Sequence, residues 1–391
     1  MKVKLPRQVI VLGIVSLFTD IASEMLYPVA PIFLTVTLGA SMAVVGIIEG
    51  LAEVVAGFLK GYFGMLSDKI QKRSIFVTIG YSLSAIVKPL PGLIPGTAVV
   101  AGSRVLDRVG KGIRTAPRDA LLAGHSDGNS GTVFGFHRAM DTLGAALGPV
   151  VALILLYYYP GDYVLVYLVA FVPSMLAVGA TLFVKDKFIA GKKKSMENYA
   201  DFWKEAPKQY RSLLIVFTLF SFVNSSDVFL ILKTQKASSS ETLAIIGYIF
   251  YNLVYAGVSL PAGKIADKIG KKRVFIVGLA VFSLVYFGFA FFSSIPLIFL
   301  LFTLYGLYAA TTEGVVKAWV SDLVPDHQRG SAIGLFTMLS SLAVMAGSAA
   351  TGVLWDAFGS QVPFLVSGIV AMLIAGYLML SSGEVETEIR E

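Results

Sequence analysis

The sequence predicts an all-α integral membrane protein, with twelve transmembrane helices in two pseudo-symmetric six-helix bundles. Three observations carry that expectation. Hydrophobic residues make up 56% of the 391-residue chain and charged residues only 15%, with a mean hydropathy of +0.76; a soluble domain holds a larger charged share. The apolar residues gather into runs of about 20, the length that crosses a bilayer as a helix. One charge-dense stretch then occurs twice, as Gly64-Met65-Leu66-Ser67-Asp68-Lys69-Ile70-Gln71-Lys72-Arg73 and as Gly263-Lys264-Ile265-Ala266-Asp267-Lys268-Ile269-Gly270-Lys271-Lys272, 199 residues apart. A repeat at about half the chain length marks two homologous halves.

Taken in order, the runs set spans at 8–33, 42–62, 74–95, 98–121, 131–156 and 163–184, then at 212–232, 243–263, 273–294, 296–322, 331–353 and 362–382. The first span carries a polar stripe at helical spacing, Ser16, Thr19, Asp20, Ser23, Glu24 and Tyr27, before Pro28 and Pro31 break or bend its outer end. Glu49 and Glu53 lie in the second span, Lys88 in the third, and His137, Arg138 and Asp141 in the fifth. The fourth is unusual: Arg104, Asp107, Arg108, Lys111, Arg114 and Arg118 recur every three or four residues and form one charged face. The second half is sparer. Asn224 and Asp227 mark its first span, Tyr248, Tyr251, Asn252 and Tyr255 the next, and Tyr305, Tyr308, Glu313 and Lys317 the tenth. Between the halves, residues 185–211 hold a lysine run followed by Tyr199, Phe202 and Trp203. That pattern fits an amphipathic helix on anionic headgroups, or a solvated tether with an interfacial aromatic anchor. The expected domains are an N-terminal six-helix bundle over 1–184, a linker over 185–211 and a C-terminal six-helix bundle over 212–391.

Basic residues orient the chain, because cytoplasmic loops carry an excess of Lys and Arg. Lys2, Lys4 and Arg7, the loop at Lys69, Lys72 and Arg73, the loop at Lys268, Lys271, Lys272 and Arg273, and the 185–211 linker all fall on one side. The opposite loops hold little beyond Lys233 and Lys236. The expectation is a multi-pass protein of the cytoplasmic membrane, monomeric, with both termini cytoplasmic and membrane lipid around it. No cleavable signal is expected, since the first span is too long for a signal-peptide core. The net charge of +7 comes from these separate flanking loops, which gives nucleic acid no basic surface to bind. There is no cysteine, and His125, His137 and His327 are too scattered for a metal site. Neither a metal nor a cofactor is expected, and no nucleophile–base set at a common depth points to an enzyme.

The duplicated stretch also resembles a family motif. Gly64 to Arg73 is similar to the Gly-x-x-x-Asp-Arg/Lys-x-Gly-Arg/Lys-Arg/Lys loop between the second and third spans of the major facilitator superfamily. Gly263 to Lys272 is similar to that family's weaker copy between the eighth and ninth, and it keeps as Gly270 the glycine replaced by Gln71. The likeness extends over essentially the whole chain: Gly131-Thr132-Val133-Phe134-Gly135 stands 199 residues before Gly330-Ser331-Ala332-Ile333-Gly334, at the openings of spans five and eleven. The resemblance implies secondary transport by alternating access, with Asp68, Lys69, Arg73, Asp267 and Lys268 latching the cytoplasmic side of an outward-open state. Gly135, Gly144, Gly148 and Pro149 resemble the antiporter motif of proton-coupled exporters, with Ala152-Leu153 in place of its trailing Gly-Gly. That motif implies tight packing between the halves and a bend at the proline. Arg104 resembles the fourth-span arginine linked to proton coupling, although Asp107-Arg108 stands where that pattern has Gln-Gly. The run from Arg104 to Asp119 looks like the signature of one bacterial and archaeal branch of exporters.

Ionisable residues at membrane depth are costly and read as functional. In the first half the cations are nearly matched by carboxylates, so a closed ion-pair network stands beside an anion site and a cation site as readings of the stripe. Asp20, Glu24 and Asp107 are the candidates for loading and releasing a proton, within a network of Asp20, Glu24, Glu53, Arg104, Asp107, Arg108 and Lys111. Arg114 and Arg118 stand 199 residues before Glu313 and Lys317, which suggests a cytoplasmic gate of these four, with Arg114 pairing Glu313 across the halves. Asn224, Asp227, Tyr248, Asn252, Tyr305 and Tyr308 are candidates for the substrate wall. By the same offset Arg104 meets Thr303, Asp141 meets Ser340 and Pro149 meets Ser348. Coupling is therefore placed in the first half and selectivity in the second. The expected function is proton-coupled export of a small molecule. The alternatives are a proton-coupled uptake symporter and an exporter dedicated to an organic anion or a metal complex.

Overall fold

The computed structural model describes residues 5–27, 29–40, 42–186, 198–238 and 241–380, and every regular element among them is helical. The first half runs through Arg7–Leu26, continued by Val29–Ile32 and a π-helical turn Phe33–Thr37, then Met42–Ile70 and Arg73–Val87 with its extension Leu90–Leu93. Thr97–Gly124, Ser130–Tyr158 and Tyr163–Thr181 complete it. The second half comprises Lys208–Val223 continued by Val228–Ser238, Glu241–Ile269, Lys271–Phe291, Ile295–Asp322, Arg329–Phe358 and Gln361–Leu380. Eight of the described helices are long and apolar enough to cross a membrane on composition alone. Thr97–Gly124 is not among them, because it holds seven charged residues; Asp107 meets Lys88 and Arg114 meets Ser84 on the third span, Asp119 meets Lys317 on the tenth, and Arg118 pairs with Asp119 on the same helix.

Span seven departs from the expected unbroken helix. It stops at Asn224 and restarts at Val228, because Asn224-Ser225-Ser226-Asp227 sets four polar side chains in a row that compete with the backbone for hydrogen bonds. The first span is interrupted at the equivalent place, after Leu26, and Tyr27 stands 199 residues before Ser226. Pro28 lies outside the described residues.

The linker contains a helix, Tyr199–Glu205, whose cap Asn198 accepts from the Asp201 N–H at 2.9 Å. Its aromatic side faces protein, not headgroups. Phe202 is fully buried, Tyr199 Oη donates to the Gly61 carbonyl at 2.5 Å, and just beyond the helix Tyr210 Oη donates to the Ala332 carbonyl at 2.9 Å. The lysine run Lys192, Lys193 and Lys194 and the acidic tail from residue 381 lie outside the described residues.

Packing follows the repeat. In the first half, the first span packs on the fifth and sixth, and the fourth on the second and third. In the second, the seventh packs on the eleventh, and the tenth on the eighth and ninth. The halves meet along two seams, fifth against eighth and second against eleventh. Exchanging the halves converts one seam into the other.

Candidate functional site

On the side of the molecule that carries the linker, each seam is tied by the same device. Asp68 accepts from the backbone N–H of Gly330 at 3.1 Å, the N–H of Ser331 at 2.7 Å and Ser331 Oγ at 3.0 Å. Asp267 accepts from the N–H of Gly131 at 2.8 Å, the N–H of Thr132 at 2.6 Å and Thr132 Oγ1 at 2.7 Å. Gly330 and Ser331 are the repeat equivalents of Gly131 and Thr132, so each half caps a helix of the other. A helix N-terminus offers unpaired N–H groups and the positive end of its dipole, which a carboxylate satisfies. A cation completes each site: Arg73 lies 2.7 Å from Asp68, and Lys271 lies 3.2 Å from Asp267. Arg73 also donates to the Asp326 carbonyl at 2.8 Å, while Lys271 pairs with Asp322 at 2.8 Å. Gly64 and Gly263 allow the close approach, since a Cβ on either would overlap the carbonyl of Gly330 or of Gly131. Gln71 adopts the left-handed backbone of its counterpart Gly270, with φ of 59° against 96°.

Lys69 and Lys268, expected in the latch, are exposed instead. Each lysine directly follows its aspartate and points to another face, whereas Arg73 and Lys271 open the next helices and are brought back to the aspartates by the left-handed turn at Gln71 or Gly270.

Further along the fourth and tenth spans a second layer joins the halves. Lys317 Nζ lies 2.7 Å from one oxygen of Asp119, and Arg118 holds the other at 2.9 Å. Glu313 pairs with Arg138 of the fifth span. The expected Arg114–Glu313 pair is replaced: Arg114 donates to Ser84 Oγ at 2.6 Å and lies over the Tyr81 ring at 4.4 Å, inside its own bundle. The helical period turns it toward the third span, where Ser84 and the ring satisfy the guanidinium. Asp119 and Arg138, absent from the expected gate, supply the first half's side of both bridges.

Against this floor lies a cavity of ≈ 790 Å³, whose lining reaches Tyr27 on the broken first span and Asp227 on the broken seventh. Asp20, Glu24 and Lys111 line it together with Arg138 and Asp141. Asp141 accepts from Ser16 Oγ at 2.7 Å and from Arg138 at 2.6 Å, and Asp20, one turn along the first span from Ser16, lines the cavity beside it. Arg104, Asp107 and Arg108 are not part of this lining. Asp107 is held by Lys88 at 2.8 Å within the first bundle, and Arg104 stands over the Tyr27 ring at 5.9 Å. The Glu53 side chain lies outside the described residues.

The antiporter-like glycines divide their work. Gly135 packs across the seam onto Ser259 and Gly263, as expected. Gly144 and Gly148 pack within the first bundle instead, where a Cβ would meet the Leu17 and Ile21 carbonyls beside Asp20 and Glu24. Pro149 lies inside the same helix and faces the cavity. On the opposite wall Asn224, Asp227, Tyr248 and Tyr308 line the cavity, with Tyr305 and Asn252 buried. Asp227 accepts from Tyr305 Oη at 2.7 Å and Tyr251 Oη at 3.2 Å.

Two repeat-related bundles, latched on one side over a central cavity, are the architecture of a secondary transporter. The family model of the Major Facilitator Superfamily matches residues 12–250 and 213–389. The chain belongs to the major facilitator superfamily. It is 37% identical over 385 residues to an uncharacterized MFS-type transporter of Methanocaldococcus jannaschii, covering 96% of this chain and 95% of that one. Among solved structures it is similar to a human organic anion transporter, with a TM-score of 0.81 at 16% identity over 95% of this chain and 100% of the other. It is also similar to the E. coli fucose:proton symporter, with a TM-score of 0.75 at 11% identity over 95% and 98%. At such identities the likeness is one of fold. This major facilitator is a multi-pass membrane protein and a secondary transporter.

Proposed function

We propose that this transporter exports a small molecule across the cytoplasmic membrane by alternating access, coupled to protons, as a monomer with both termini and both latches cytoplasmic. The conformation described above is then the outward-open one. The observation that carries the reading is that Asp20 and Asp141 line the cavity together, with Asp141 tied to the first span through Ser16. Two carboxyls set side by side in a low-dielectric site share a proton more readily than both ionise, and both line the cavity. Asp141 also holds Arg138, which in turn holds Glu313 of the other half. Gain or loss of that proton changes the charge Asp141 presents to Arg138, and Arg138 is one of the bridges that closes the floor. Protonation is thereby tied to a two-state element, as coupling requires. Export is supported by the Gly135–Pro149 resemblance and by a partial likeness, 29% identity over 114 residues, to a multidrug resistance protein of Bacillus subtilis.

The test is solute accumulation in proteoliposomes under an imposed pH gradient, across a panel of labelled amines, carboxylates and neutral amphiphiles. At least one solute should accumulate against its own gradient and lose that accumulation to a protonophore. Asp20→Asn and Asp141→Asn should each reduce it at least tenfold while downhill exchange continues. Full gradient-driven accumulation in both variants would overturn the coupling assignment.

A further inference from the structure

The two interrupted spans are repeat equivalents, and both interruptions border the cavity. Breaks at corresponding places in two halves point to where a transporter holds its cargo, because freed helix ends offer polar groups that a continuous helix has already used. The two breaks differ in chemistry. At the first, a cation, Arg104, stands over Tyr27. At the second, the side chains that line the cavity, Asn224, Ser225, Ser226 and Asp227, include no cation.

Among the described residues, three charged side chains of the second half line the cavity: Asp227, Glu313 and Lys317. Glu313 is paired with Arg138 and Lys317 with Asp119. Asp227 belongs to none of the ion pairs among the described residues; each of its oxygens instead accepts from one tyrosine, Tyr305 or Tyr251. Beside it, Asn224 has a buried Oδ1 with no hydrogen-bond partner. The rings around this corner are in contact, Tyr248 with Tyr251 at 5.7 Å and Tyr251 with Tyr305 at 5.1 Å between centroids. A carboxylate outside any ion pair, reached by Arg138 only through space, and an amide oxygen without a donor are both costly inside a membrane protein. One ligand group relieves both. A protonated amine brings N–H donors for the two oxygens, positive charge for the carboxylate and a cation for the aromatic faces. A carboxylate or phosphate on the ligand would meet like charge in the same corner.

We propose that the break in the seventh span is the recognition site for a protonated amino group on the transported molecule, held by Asp227 and Asn224 with Tyr248 at its edge. Tyr251 and Tyr305 are positioning residues that hold the carboxylate. The proposal rests on the transport reading above for calling the ligand cargo, and is independent of proton coupling.

The test is calorimetric titration of the purified protein in nanodiscs with 2-naphthylmethylamine, 2-naphthalenemethanol and 2-naphthoate, which share a ring system and differ in charge. The amine should bind at least tenfold more tightly than the alcohol, and the naphthoate more weakly than both. Asp227→Asn should remove the preference for the amine while leaving the alcohol's affinity in place. Tyr305→Phe keeps the charge and should weaken the amine several-fold, which provides a readout if Asp227→Asn does not fold. Equal binding of the three probes, tighter binding of naphthoate, or unchanged amine affinity in the folded variants would overturn the proposal. No proton gradient enters this experiment, so its failure and a failure of coupling are separable.

Discussion

Asp68 and Asp267 perform the same task with unequal support, and the difference is measurable. Removing the carboxylate in Asp68→Ala leaves Arg73 with only the main-chain carbonyls of Ala120 and Asp326 as hydrogen-bond partners among the described residues. Removing it in Asp267→Ala leaves Lys271 paired with Asp322 at 2.8 Å. Breaking a buried pair costs about 3–5 kcal/mol, here charged to the latched conformation alone. Asp68→Ala should therefore open the linker side more than Asp267→Ala does. The chain has no native cysteine, so the labelling rate of a single cysteine introduced on that face reports the opening directly; equal rates in the two variants would contradict the assignment. Gln71 offers a second test. Its left-handed φ of 59° costs a side chain about 1 kcal/mol relative to glycine. Gln71→Gly should melt above Gln71→Ala, since both lose the Nε2 bond to the Asp68 carbonyl and only alanine keeps the strain. The latch aspartates are legible in the sequence because they stand at fixed places in a duplicated motif. The juxtaposition of Asp20 and Asp141 is not, because the two lie on different spans far apart in the chain and only packing of the first span on the fifth brings them together.

Spans themselves are legible wherever apolar runs are unbroken, and least so where a run hides a polar interruption. Asn224 to Asp227 is such a case: the surrounding apolar average conceals four residues that end a helix. The linker shows a different limit. Tyr199, Phe202 and Trp203 make an aromatic face that headgroups or another helix would satisfy equally, and only the contact with Gly61 decides for protein. The fifth span carries a prediction at this scale, because its glycines touch different elements. A Cβ at Gly148 would press on the Ile21 carbonyl and displace the first span, with Asp20 and Glu24, from the fifth. Gly148→Ala should therefore impair gradient-driven transport in proteoliposomes while cysteine labelling shows the latch still closed. Gly135→Ala, pressed against Ser259 on the other half, should raise labelling on the linker side. Identical behaviour of the two variants would contradict the division of labour.

Across the whole molecule the repeat governs the latches and not the charges. Each half caps the other through Asp68 and Asp267, which gives the closed side an approximate two-fold relation. The carboxyl pair proposed to hold the coupling proton belongs to the first half, and the carboxylate outside any ion pair belongs to the second. This asymmetry is visible in the sequence, where Asp141 faces Ser340 across the repeat. Which charges meet is not, since the fourth-span stripe divides between Asp107 closed off by Lys88, Arg114 turned to Ser84, and Arg118 at the floor. The central claim is that proton occupancy at Asp20 and Asp141 sets whether the halves are latched. The most direct measurement is pulsed dipolar spectroscopy in nanodiscs between spin labels at Lys69→Cys and Lys268→Cys, two exposed, repeat-equivalent positions in opposite halves. Two distances should appear, with populations that shift with pH in the parent protein and become independent of pH in Asp20→Asn/Asp141→Asn. A single distance unchanged across pH, or a pH response that survives both substitutions, would contradict the account.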